Sequence, residues 1–150
     1  MEPQSPNDLR ELRAEFDRCW PWLDAAIARY GRTHGKENLW QRIVDGLAHF
    51  WPGPMCAIVT ECINYPTGLK RLNFWLRGGS MKEILPLSDL IEEWAKRHGC
   101  HEAIGTGRDG WLIVEPDYEK TSTRRRKILT DDPATIERFG LKRGGRVEAP

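Results

Sequence analysis

Long hydrophobic runs are missing from this chain. No stretch approaches the roughly 18–20 apolar residues needed to cross a bilayer, so no membrane-spanning role is expected. Cysteine is scarce, with four in 150 residues. That is too few for a disulfide scaffold, and the thiols are expected to be free. A surplus of either charge is also absent: 23 basic residues face 22 acidic ones, for a formal charge of +1. Such a balance argues against a wholesale nucleic-acid binder or a polybasic membrane protein. No internal repeat is found. The opening stretch MEPQSPNDLRELRAEF is polar and mixed in charge and holds no apolar signal region, so the expected compartment is cytoplasmic.

What the chain does hold is enough apolar material for one domain. Its 150 residues are 39% hydrophobic and 30% charged, a globular composition rather than a disordered one. Tryptophan is abundant, at seven, which suits a small core or a contact surface. Charge is uneven along the chain. Residues 121–150 carry eight basic and four acidic side chains, and this segment reads as a peripheral basic tail.

Ser5-Pro6-Asn7-Asp8 has the form of a helix start, followed by Leu9, Leu12 and Phe16 at helical spacing. Pro21 is expected to interrupt this helix and begin another carrying Leu23, Ile27 and Tyr30. Leu39, Trp40, Ile43, Val44, Leu47 and Phe50 form one apolar stripe, which predicts a helix ended by Trp51-Pro52-Gly53-Pro54. The character then changes to β-branched and alternating residues. An antiparallel hairpin is predicted over 57–77, turning at Tyr65-Pro66-Thr67-Gly68. Ser80-Met81-Lys82-Glu83 is a capping-box pattern opening a helix. Its expected buried stripe is Leu87, Leu90, Ile91, Trp94 and His98, with Pro86 kinking or splitting it and Gly99 ending it. A short strand over 101–105, a helical turn at 111–114 and a last strand over 125–130 complete an α/β or α+β domain.

From Ala57 to Tyr118 this order resembles the GCN5-related N-acetyltransferase superfamily, and within it the small acetyltransferase-like proteins of tailed phages. The likeness is carried by the hairpin IVTECINYPTGLKRLNFWLRGG, the helix ending in EEWAKRHGC, and GTGRDGW. It implies an acetyltransferase-like mixed sheet with a central hairpin, packed by helices. It also implies an acyl-CoA loop after the central strand, where Arg77, Gly78, Gly79 and Ser80 stand. A basic residue, two glycines and a helix start suit an anion. The loop is shorter than the family's Arg/Gln-x-x-Gly-x-Gly/Ala and lacks its second glycine spacing, which favours a plain strand-to-helix turn capped by Ser80. The superfamily's strand glutamate, used as general base, corresponds to Glu61; the alternative is a solvated strand residue. Val114 falls where the resemblance expects an acid tyrosine and cannot donate a proton. Tyr118 could serve only from a different geometry. The helical front, residues 1–50, replaces the usual opening strand, so no acceptor follows from the resemblance.

The remaining constellations have ordinary alternatives. His98, Cys100 and His101 match no common zinc spacing, and no metal is expected. Cys56 and Cys62 lie on one strand, about 20 Å apart. Trp75 is expected opposite Leu72, Phe74 and Leu76, under helices or a partner. Arg124, Arg125, Arg126 and Lys127 could meet phosphates, or blunt an edge strand, or engage an acidic protein surface.

The degenerate loop and the absent tyrosine favour a non-catalytic reading. The expectation is an acetyltransferase-like domain over 1–120, with a helical front over 1–50 and a hairpin–helix–strand core over 55–118. A basic C-terminal strand and tail occupies 121–150. Following the resemblance, the expected role is a structural or assembly component of a tailed-phage virion, assembled in the host cytoplasm. It would contact other virion proteins, without cofactor. The alternative is an acetyl-CoA-dependent N-acetyltransferase of unknown acceptor. A further one is a packaging or ejection factor touching DNA through 124–127.

Overall fold

The computed structural model describes residues 9–141, so the expected helix start at 5–8 and the glycine pair at 144–145 lie outside the described residues. Helix α1 (Leu9–Ala28) is continuous through Pro21. The proline removes one backbone donor but does not divide the helix, because Phe16, Cys19, Leu23 and Ile27 keep one buried face on either side of it. Helix α2 (Lys36–Val44) buries Leu39 and Ile43.

The stripe predicted as one helix over 39–50 is two elements. The helix stops at Val44, Gly46 turns the chain at φ +75°, and strand β1 (His49–Pro52) follows. Leu47 is left exposed, while Phe50 and Trp51 point to opposite faces of a sheet. A left-handed glycine closes a helix more decisively than apolar spacing prolongs it.

Strands β2 (Cys56–Asn64) and β3 (Lys70–Gly79) form the expected antiparallel hairpin, its turn closed by Gly68 N–H donating to the Tyr65 carbonyl at 2.9 Å. Helix α3 (Met81–Arg97) returns over the sheet and runs unbroken through Pro86, without the expected division. Its buried face is Ile84, Ser88, Ile91, Trp94 and Ala95, whereas Leu90 is exposed. Glu83 does not close a capping box; its Oε1 accepts from Met55 N–H at 2.7 Å and ties the helix start to the β1–β2 turn. Gly99, at φ +87°, ends the helix as expected. Strand β4 (Glu102–Gly105) pairs parallel with β3, completing a mixed sheet in the order β1-β2-β3-β4.

Helices cover both faces. On one, Phe16, Leu23, Leu39 and Ile43 pack against Phe50, Ala57, Val59 and Leu76. On the other, Ile84, Ile91 and Trp94 pack against Trp51, Ile58, Leu72 and Phe74. Strand β2 is therefore buried on both sides, and its one buried hydroxyl, Thr60 Oγ1, accepts from Trp51 Nε1 at 3.0 Å. The faces of β3 change midway. Val59 pairs with Leu76 but Thr60 with Phe74, so Trp75 is an extra residue, a β-bulge. It places Leu76 on the α1–α2 face beside Trp75 rather than with Leu72 and Phe74 as strand alternation predicts.

After β4 the chain forms a helical turn, α4 (Trp111–Val114), then runs as a long segment with neither helix nor strand pairing from 118 to 132. The strand expected at 125–130 is absent: these residues have no neighbouring strand to complete their hydrogen bonds. Helix α5 (Pro133–Phe139) follows, starting at the Asp132 cap and ending at left-handed Gly140. It docks through Arg32 N–H to the Phe139 carbonyl at 2.7 Å.

Candidate functional site

The bulge sits where β3 and β4 separate. Their ladder covers Arg71–Phe74 against Glu102–Gly105 and stops, while β3 continues to Gly79. A bulge bends a strand and ends its pairing, so the β4-facing edge of β3 beyond Phe74 has no strand beside it. A cavity of about 710 Å³ opens at this fork. Its walls include Arg77, Gly105, Trp111 and Glu115, the extended segment over 118–126, and Arg29 and Tyr30 from the end of α1.

Arg77 is the anchor of the wall. Its guanidinium donates to both Glu115 oxygens at 3.0 and 3.2 Å, and to Ser88 Oγ at 3.3 Å. It lies over Trp111 at 3.9 Å and over Phe74 at 4.5 Å. Both charged side chains are only 10% exposed. The arrangement joins β3, α3 and the chain after α4, and neutralises Arg77 within the protein.

The two glycines after it are accounted for by the fold. A side chain on Gly78 would meet the Trp22 backbone of α1, and one on Gly79, at φ +105°, would meet the Met55 and Cys56 backbone. Ser80 N–H donates to the Met55 carbonyl at 2.8 Å, and the Ser80 carbonyl accepts from Glu83 and Ile84. Of the four residues at the expected acyl-CoA loop, only Arg77 lines the cavity.

Glu61 lies on β2, half-buried. It accepts from Arg42 at 2.9 Å and from Asn73 Nδ2 at 3.1 Å. Arg42 in turn lies over the Trp75 ring at 5.7 Å, and His34 meets that ring edge-on at 4.8 Å. Burial and the nearby Arg42 push the His34 imidazole below its ordinary range. A polar group therefore gathers on the α1–α2 side of the bulge. Val114 has no proton to donate. Tyr118 donates to Glu92 at 2.6 Å, and burial lifts the Tyr118 phenol well above its usual range. Burial also lifts Glu92.

The basic run does not stand on a strand. Arg124, Arg125 and Arg126 line the cavity from the extended segment, with Lys127 following them exposed. The histidines near α3 are engaged internally: His98 Nδ1 contacts the Trp94 carbonyl at 2.8 Å, and Lys70 N–H donates to His101 Nδ1 at 3.0 Å. Cys100 lies 3.9 Å from Cys62, sulfur to sulfur, and burial with the Cys100 neighbour pushes the Cys62 thiol up to about 11. Sequence reasoning missed Arg29, Trp111 and Glu115 as wall residues. Trp111 opens the predicted helical turn and Glu115 follows it, but their partner Arg77 is 38 positions from Glu115, beyond any local spacing signal.

No family model matches the chain, and no curated protein matches it in sequence. Solved structures do match in fold. A ribosomal-protein-alanine N-acetyltransferase from Brucella melitensis biovar Abortus 2308 aligns with TM-score 0.55 at 14% identity, over 81% of this chain and 95% of its own. A predicted acetyltransferase with acetyl-CoA from Clostridium acetobutylicum aligns with TM-score 0.51 at 11% identity, over 85% and 92%. A transcriptional regulator from Bacillus halodurans C-125 aligns with TM-score 0.51 at 19% identity, over 87% and 97%. The chain has an acetyltransferase-like fold. The expected non-catalytic virion component is corrected here, since acetyltransferases stand among these matches and no virion protein is named.

Proposed function

We propose that the chain is an acyl-CoA-dependent N-acetyltransferase. The observation that carries this reading is the fork between β3 and β4, with its unpaired strand edge and adjoining cavity. An exposed strand edge accepts an extended partner bearing amides, and the pantetheine arm of an acyl-CoA is such a partner. Backbone N–H groups released at the bulge are the donors this chain offers to a thioester carbonyl, a fixed electrostatic aid to acyl transfer. The acetyltransferase-like fold supports the same substrate class.

Glu61 is the residue proposed to take a proton from the acceptor amine, directly or through water. Asn73 and Arg42 hold its carboxylate in one orientation on the face where Trp75 bulges. Tyr118 stays bound to Glu92 and supports the cavity wall. Calorimetry on the full chain, paired with thiol-release assays over a panel of amines, tests the reading. Micromolar acetyl-CoA affinity is expected, and Glu61→Gln is expected to keep binding while losing about 10²-fold or more of turnover. Absence of acetyl-CoA binding at millimolar concentration would overturn it.

A further inference from the structure

Acyl-CoA carries a pyrophosphate and a 3′-phosphate, and these need cationic partners. Gly78, Gly79 and Ser80 are absorbed by contacts with α1 and the β1–β2 turn, so the strand-to-helix loop is poorly placed to supply them. The cavity supplies charge elsewhere. Seven basic and three acidic side chains line it. Arg77 is matched by Glu115, and Lys120 by Asp109 at 3.4 Å. Arg29, Arg108, Arg124, Arg125 and Arg126 remain against Glu119, and among the described residues the side chains of these five arginines make no ion pair or hydrogen bond.

These five come from three separate stretches: the end of α1, the β4–α4 loop and the extended segment. They converge on one concavity. Guanidinium groups suit phosphate oxygens through paired N–H donors. A concave cluster suits a compact polyanion better than a duplex, whose phosphates lie along a line. Without these five arginines the chain holds 18 basic and 22 acidic residues, a net charge of −4, and would not reinforce binding along a polynucleotide.

Resting on the acyl-CoA reading, the geometry points to the extended segment as a phosphate clamp: Arg124, Arg125 and Arg126, with Arg29 and Arg108 facing them, bind the phosphorylated adenosine end of the substrate. The ligand class is a 3′-phosphorylated adenine nucleotide, free or as part of CoA. The glycine loop keeps a purely structural role.

Calorimetry compares CoA, dephospho-CoA and adenosine 3′,5′-bisphosphate on the full chain, with duplex DNA as a separate arm. CoA is expected to bind about tenfold or more tightly than dephospho-CoA, the scale of a charged hydrogen bond. The bisphosphate alone is expected to bind and to compete with CoA. The triple variant Arg124→Glu, Arg125→Glu, Arg126→Glu, and separately Arg29→Glu, should erase the preference for CoA while thermal melting stays unchanged. Equal binding of CoA and dephospho-CoA, unaffected by either variant, would overturn the clamp and leave the acetyltransferase reading standing. Absence of CoA binding would overturn both. Loss of duplex binding in the triple variant, with CoA binding intact, would overturn the clamp in favour of a polynucleotide site.

Discussion

Two parts of this molecule are held by different physics. Up to Gly105, helices and sheet bury two apolar clusters, and every buried core residue falls in that stretch. From Thr106 to Leu141, Glu115 is the one buried residue, and it is a carboxylate. The later part is pinned to the earlier one chiefly by polar contacts, Glu115 to Arg77 and Tyr118 to Glu92, with Trp111 alone packed against the second apolar cluster. Asp109 to Lys120 is a contact within the later part itself. The difference separates two tasks. Apolar burial holds the scaffold and its forked sheet, while a polar-pinned segment closes the cavity and brings the charge.

If that division is right, the largest effect comes from the core. Phe16 is fully buried and touches Trp20, Trp40 and Phe50 rings. Phe16→Ala is expected to destabilise the fold by about 3–5 kcal/mol, through lost burial and the cavity left behind. Chemical denaturation would read this as a global loss. A small effect would show that the helical front contributes little to stability.

A middle-sized effect is expected at the pin. Glu115→Ala strands the Arg77 guanidinium at a nearly buried position, costing about 3 kcal/mol on the scale of a broken buried pair. The cost should be largely local: limited proteolysis within 106–132 should accelerate, while amide protection in β2 and β3 persists. Equal loss of protection in β2 would merge the two parts into one cooperative unit and break the comparison.

The smallest effect belongs to the clamp. Arg124, Arg125 and Arg126 are exposed, so replacing all three with glutamine should change stability by no more than about 0.5 kcal/mol. A larger loss would mean that the run holds the segment down rather than binding a ligand.

The sequence carried the scaffold unevenly, for identifiable reasons. The β2–β3 hairpin was legible because Pro66 and Gly68 occupy the turn and alternation flanks it. Helix α3 was legible from Ser80 to Gly99, since cap and stop residues frame it. Strand β1 was hidden by an apolar spacing that continues the period of α2; Gly46 was the available contrary signal. Helix α5 had a capping Asp132, Pro133 at its first position and Gly140 at its end, which read as loop punctuation in a basic tail. At the candidate site, Arg77 and the basic run stood out as chemistry. Their meeting in one cavity did not, because it depends on the Trp75 bulge and on a segment returning from 38 residues away.

Amide chemical-shift mapping on the labelled full chain tests the central claim most directly. On titration with acetyl-CoA, the account predicts saturable shifts at Trp75–Arg77 and Gly105–Gly107, with a second group across 118–126. Unchanged amides at the fork with acetyl-CoA at millimolar concentration, or saturable shifts confined to other surfaces, would contradict it.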